Sequence, residues 1–231
     1  MLNKLKQDLQ KLANKEKAVI LQRFFKTGKG EYGHGDIFLG ITVPDQRKIA
    51  KKYINLNLKQ IKELLKSKMH EHRLIVLLLL VEKYKKADEN IKKDIINFYL
   101  SHTNYINNWD LVDLSSHQIL GDYLINKDKN ILYKLANSNN LWEKRISIIS
   151  TYTFIRNNKF QDTLNISRIL LDDKHDLIHK AVGWMLREIG KRNLEIEENF
   201  LKKYYKKMPR TMLRYAIEKF DKNKREFYLK S

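Results

Sequence analysis

Cysteine is absent from the 231-residue chain. That excludes a disulfide framework, a thiolate metal site and a cysteine nucleophile. Only two prolines and eight glycines punctuate the sequence. There is no Asn-Gly or Asp-Gly step and no sustained β-branched alternation, so hairpins have little to build on. The longest apolar run, residues 74–81, is far shorter than the roughly 20 residues a membrane-spanning helix needs. The opening Met1-Leu2-Asn3-Lys4-Leu5-Lys6 carries no apolar stretch of the signal-peptide kind. These absences lead us to expect a soluble protein of the cytoplasm. Acidic residues are also scarce, 27 against 46 basic ones.

The resulting net charge of +19 implies self-repulsion that an anionic partner would relieve. Nucleic acid is the first candidate and an acidic membrane surface the second. The plain alternative is a lysine-rich composition. A hydrophobic fraction of 42% is ample for a core. Apolar residues recur at intervals of three and four along most of the chain, which predicts an all-α protein. The first helix is expected over 2–26 with a break near Asn14. Others are expected over 45–55, 59–66, 71–86, 89–101, 108–124, 129–136, 141–156, 161–170, 177–191, 195–206 and from 210 almost to the end. Residues 27–44 hold five of the eight glycines and read as a long ordered loop. Within it, Gly28-Lys29-Gly30-Glu31-Tyr32-Gly33 matches G-x-G-x-x-G in letters only. A helix precedes it and none follows directly, so a dinucleotide site is rejected.

The helices repeat. Leu64-Leu65-Lys66-Ser67 leads to Arg73, Leu135-Ala136-Asn137-Ser138 to Arg145, and Leu170-Leu171-Asp172-Asp173 to Lys180. With Arg73, Asp110, Arg145, Lys180 and Arg214 in register, the spacings are 37, 35, 35 and 34 residues. That period predicts an α-solenoid of helix pairs. A basic residue opening the second helix after an acidic or hydroxyl turn resembles HEAT repeats, where it often forms a structural ladder. Three positions on, the sister repeats carry Val76, Ile148, Gly183 and Ile217, but the central repeat carries Asp113. Trp109 stands one turn before it, so both share a helical face. An unpaired carboxylate is costly in a core. Asp113 therefore faces a ligand or pairs with a base such as His117, four residues on.

Trp184 reads as a core aromatic or a working one. Gly183 is expected to clear space beside it, and Arg187 to bring a cation near the indole. His175 and His179 have the spacing of two metal ligands, and His70-Glu71-His72 clusters donors, but no third ligand of family spacing accompanies either. These read as surface or turn histidines, and no metal site is expected.

Phe38-Leu39-Gly40-Ile41 before Pro44, Trp109-Asp110-x-x-Asp113, Trp142-x-x-Arg145 and Lys180-Ala181-x-Gly183-Trp184-x-Leu186-Arg187-Glu188 together resemble the DNA alkylation repair family of HEAT-like glycosylases, the AlkD type. The resemblance covers nearly the whole chain, as one domain over 1–231. It implies a monomeric solenoid curved around a basic concave groove that binds duplex DNA. The implied reaction is hydrolysis of the N-glycosidic bond of cationic alkylpurines, 3-methyladenine and 7-methylguanine, in base excision repair without cofactor or metal. By the same resemblance Asp113 is the catalytic carboxylate, and Trp109 and Trp184 pack against the lesion. Arg145 contacts DNA near the site and Arg187 a backbone phosphate. The family need not draw the base into a pocket. Asn108 departs from it, standing where some relatives have a second aromatic. The alternative reading is a catalytically silent nucleic-acid-binding or protein-interaction scaffold.

Overall fold

A computed structural model describes residues 1–230. The chain divides into two compact units, Met1–Ser115 and the remainder from Ser116. No strand occurs among the described residues, and Ile37 and Met69 form an isolated bridge. The all-α expectation holds.

The first unit contains α1 (Leu2–Lys11), α2 (Lys15–Phe24), α3 (Val43–Lys52), α4 (Leu58–Leu65), α5 (His70–Lys86), α6 (Glu89–Leu100) and the short α7 (Trp109–Asp113). The break after α1 falls where Asn14 caps α2, its Oδ1 accepting from the Lys17 amide at 2.9 Å. Thr42 caps α3, with Pro44 in the first turn where its missing N–H costs nothing. Asn57 and Gln60 form a reciprocal capping box on α4. The apolar run 74–81 is the buried centre of α5, and α3, α4, α6 and α7 pack against that helix. Each fully buried Leu or Ile there contributes roughly 1.5–3 kcal/mol of transfer free energy.

The second unit opens with a π-helical turn, His117–Gly121, which runs into α8 (Asp122–Leu124). Then follow α9 (Asn130–Ala136), α10 (Leu141–Ser150), α11 (Tyr152–Arg156), α12 (Gln161–Ile169), α13 (Asp176–Gly190), α14 (Leu194–Tyr204), α15 (Arg210–Ala216) and α16 (Lys222–Lys230). Helix α13 packs on α10, α12, α14 and α15.

Arg73, Arg145, Lys180 and Arg214 lie within the first turn or so of α5, α10, α13 and α15, so the sequence register follows the helix pairs. Three expected helices are subdivided. The one over 108–124 changes hydrogen-bonding pattern after Asp113. The one over 141–156 bends where Ser150 and Thr151 return their hydroxyls to the carbonyls of Ile146 (2.6 Å) and Ile148 (2.7 Å). The last is interrupted at Phe220, in extended conformation, before Asp221 accepts from the Lys224 amide at 3.0 Å.

Candidate active site

In the first unit Trp109 and Asp113 occupy the two ends of α7, one turn apart, and both line a cavity of about 450 Å³. Asn108 caps this helix. Its Oδ1 accepts from the Trp109 amide at 2.8 Å, and its Nδ2 reaches Asp36 at 3.5 Å. It is completely buried. The residue that departs from the family pattern thus anchors the N-terminus of the helix that carries the candidate carboxylate.

An aromatic stack fixes the indole. Trp109 lies parallel to Phe25, with ring centroids 5.0 Å apart and planes 10° apart, and Phe24 meets it edge-on at 5.8 Å. Phe25 continues onto Phe38 at 5.0 Å, and Phe38 onto the His70 ring at 4.4 Å.

His70 then closes the circuit back to α7. Its Nε2 lies 2.8 Å from Asp110 and its Nδ1 3.1 Å from Asp36, and it is 1% exposed. Arg73 donates to the same Asp36 oxygen at 2.6 Å. Burial opposes charge on His70, but the Asp110 carboxylate and hydrogen bonds to Asp110 and Asp36 outweigh it, raising the imidazole to about 9. With both ring nitrogens facing carboxylates, His70 is an imidazolium that donates twice. Burial also opposes the charge on Asp36, yet hydrogen bonding from His70 and the Arg73 guanidinium hold it below the usual carboxylate range. His70 is therefore no surface or turn histidine, contrary to the sequence expectation. Its partners come from 34 and 40 residues away, so no local pattern marks it.

The glycine-rich segment has a structural role. The Glu71 carboxylate accepts from the amides of Leu39 (2.9 Å), Gly40 (2.8 Å) and Ile41 (3.2 Å). Gly40 has φ +82°, and a Cβ there would sit 2.1 Å from the Asn14 carbonyl oxygen. Phe38-Leu39-Gly40-Ile41 is thus a turn wrapped around a buried glutamate, which holds Phe38 in the aromatic stack.

Near Asp113 the fully buried Tyr99 hydroxyl lies 2.9 Å from Ser115 Oγ. Burial pushes this phenol up, against the Ser115 hydrogen bond, and the negative charge of Asp113 adds to the rise. Tyr99 remains a neutral neighbour of the carboxylate.

The other candidate residues belong to the second unit. Trp184 is partly buried. Its ring is 5.9 Å from Tyr152, itself edge-on to His117 at 5.3 Å. The Trp184 indole donates to Glu188 at 3.1 Å. Arg187 pairs with Glu218 and approaches Glu188 at 3.7 Å. Gly183 does not clear space beside Trp184, as the sequence suggested. A Cβ there would lie 2.4 Å from the Met212 carbonyl oxygen, so the glycine lets α15 approach α13. Arg145 is 5% exposed, and its Nη1 donates to the Leu177 carbonyl at 2.5 Å. That bond ties the first turns of α10 to the start of α13. His175 caps α13, accepting from the Leu177 amide at 3.1 Å, and His179 Nε2 lies 2.5 Å from the Asp173 carbonyl.

Sequence and fold comparisons point the same way. The sequence matches the family of DNA alkylation repair enzymes over residues 5–220. No curated protein matches the chain. A predicted DNA alkylation repair enzyme from Enterococcus faecalis is similar in fold, with TM-score 0.71 at 17% identity, covering 91% of this chain and 97% of its own. AlkD2 from Streptococcus mutans is similar with TM-score 0.57 at 16% identity, covering 90% of this chain and 99% of its own. At these identities the likeness is one of fold.

Proposed function

Because the chain belongs to the family of DNA alkylation repair enzymes, we propose that it is a DNA glycosylase that releases cationic alkylpurines, 3-methyladenine and 7-methylguanine, from duplex DNA. One observation carries this reading: Asp113 lies on the wall of an aromatic-lined cavity, one helical turn from Trp109.

The chemistry asks little of the protein. An N-alkylated purine already carries positive charge, so the C1′–N bond breaks with its electron pair passing to the base, which leaves neutral. No acid is needed for the leaving group. The sugar is left with oxocarbenium character, and the fixed carboxylate of Asp113 stabilises it where charge develops. Water adds to C1′ while Asp113 takes its proton. The products are the free base and an abasic sugar. Trp109 offers an indole face to cationic groups, an interaction worth roughly 0.5–2 kcal/mol. Trp184 takes the corresponding role in the second unit.

Arg187 is the candidate phosphate contact there, and a phosphate would compete with Glu218 for it. Arg145, expected to contact DNA, is buried against the Leu177 carbonyl, and in this reading it acts instead as a positioning residue that seats α13. The net charge of +19 supports duplex DNA as partner, with affinity that falls steeply with salt. The protein would act as a monomer in the cytoplasm, on nucleoid DNA if bacterial.

The test is incubation with methylated duplex DNA and chromatography of the small-molecule fraction. Free 7-methylguanine and 3-methyladenine, with abasic sites left in the duplex, are the expected products. Tight duplex binding with no released base would make the protein a silent binding module.

A further inference from the structure

We propose that the groove between α12 and α14 is a docking site for a protein partner, and that it takes an extended peptide segment carrying acidic side chains. This surface shares no residue with the candidate active site, and its use does not depend on base release.

Two helix faces build the groove. Both helices pack on α13. On α12, Thr163, Ile166 and Ser167 are buried, while Leu164, Asn165 and Arg168 line a groove of about 600 Å³. From α14 come Asn199, Lys203 and Tyr204, with the buried Phe200 among them. Spacings of three and four residues keep each set on one helical face. The volume lies within the roughly 300–1,000 Å³ typical of ligand clefts.

Charge selects the partner. No carboxylate lines the groove. The acids of these two helices are engaged or buried elsewhere: Asp162 accepts from the Tyr133 hydroxyl at 2.7 Å, Glu198 pairs with Lys224, and Glu197 is buried. Arg168 and Lys203 are exposed and form no ion pair among the described residues. Lys203 instead lies 5.4 Å from the centre of the Tyr204 ring. Other exposed lysines, such as Lys48 and Lys191, have an acid one helical turn away, Asp45 and Glu188. Two cations flanking a cleft without counter-charge favour an acidic partner.

The carboxamides decide its class. Gln161 donates to Asn165 Oδ1 at 3.0 Å, and Asn165 Nδ2 donates to the Tyr133 hydroxyl at 3.3 Å, so this amide is held in place. Asn199 makes no hydrogen bond among the described residues and is exposed. A carboxamide presents a donor and an acceptor together, the complement of a peptide unit with its C=O and N–H. A phosphate backbone offers acceptors alone and would leave the carboxamide oxygens unused. A nucleic-acid strand would also stack its bases on open aromatic faces. Phe200 is only 7% exposed, and its ring is tilted against Tyr204 at 4.8 Å. With Leu164 and Ile196 it suits an apolar side chain set between acidic ones.

Short random peptides displayed on phage are selected against the full chain, and the enriched sequences are synthesised with a fluorescent label. Anisotropy then measures their affinity. Peptides with acidic residues flanking an apolar one should be enriched and bind saturably. Arg168→Gln combined with Lys203→Gln should weaken binding about tenfold or more, and Asn199→Leu several-fold. All three side chains are exposed, so these variants fold, and melting temperatures verify it. Lys4→Gln combined with Lys51→Gln removes the same charge from exposed positions of the first unit and should leave binding unchanged. Enrichment of no acidic peptide, full binding by either groove variant, or an equal loss in the Lys4 and Lys51 variant would overturn the proposal.

Duplex and single-stranded oligonucleotides are then tested as competitors. They should not displace the peptide, and the Arg168 and Lys203 variant should bind them as well as the Lys4 and Lys51 variant does. Displacement, with weaker oligonucleotide binding by the groove variant than by that control, would make the groove a nucleic-acid surface and overturn the proposal.

Discussion

Trp109 of α7 and Phe25, the C-cap residue just after α2, lie face to face, with planes 10° apart and centroids separated by 5.0 Å. The indole beside the candidate carboxylate is therefore held by an N-terminal helix more than eighty residues away in sequence. Phe25→Ala should destabilise the fold by about 3–5 kcal/mol. Phe25→Leu should cost less and still lower base release more than DNA affinity. Urea denaturation and base-release assays on both variants measure the two effects. Full base release by stable Phe25→Leu would show that the stack does not position Trp109.

His70 gives the first unit a pH dependence. Its folded-state value is raised from 6.5 to about 9. Its contribution to stability is thus fully present below about pH 6.5 and lost as pH rises through about 9. The shift corresponds to on the order of 3 kcal/mol. Urea midpoints should fall across that window and flatten in His70→Gln. Asp36 acts at the other end, since its depressed value makes its contribution disappear as pH falls below the ordinary carboxylate range.

The Glu71 clamp predicts a large effect from a residue that takes no part in the chemistry. Glu71→Ala leaves the amides of Leu39, Gly40 and Ile41 without their acceptor. Each buried donor so abandoned costs about 1–3 kcal/mol. Hydrogen exchange should show those amides deprotected, with a loss of at least about 3 kcal/mol in stability. Gly40→Ala should act similarly through its positive φ and the Asn14 carbonyl.

Glu197 predicts a stabilising substitution. Burial pushes its carboxyl up to about 8, Glu198 adds to the rise, and Arg187 opposes it. Its Oε1 is buried without a partner. The folded state holds this proton while an unfolded chain gives it up near 4.5, so stability falls as pH rises towards about 8. Glu197→Gln should raise the melting temperature at pH 8 by an amount equivalent to roughly 1–3 kcal/mol. At pH 4 the two proteins should melt nearly together.

Much of the fold could be read from the sequence because it is written in local signals. Apolar spacing, the break near Asn14 and the period carrying Arg73 to Arg214 each act within a helix or one repeat. Asp113 stood out because its sister positions are apolar or glycine. The supports around it were not legible. Asp36, His70 and Asp110 meet across 34 and 40 residues, and His70 looked like one more turn histidine. Phe25 at the end of a basic helix gave no sign that it would stack on Trp109. Gly183 misled, because a missing side chain opens space or admits a neighbouring helix, and only α15 decides which.

If the Asp113 carboxylate drives bond cleavage, single-turnover release of 7-methylguanine by Asp113→Asn measures its contribution. The substitution keeps the size of the side chain and removes the charge. The expected result is a folded protein with native duplex affinity and a release rate lower by roughly 10²–10³-fold. Release at the native rate from that folded variant would contradict it.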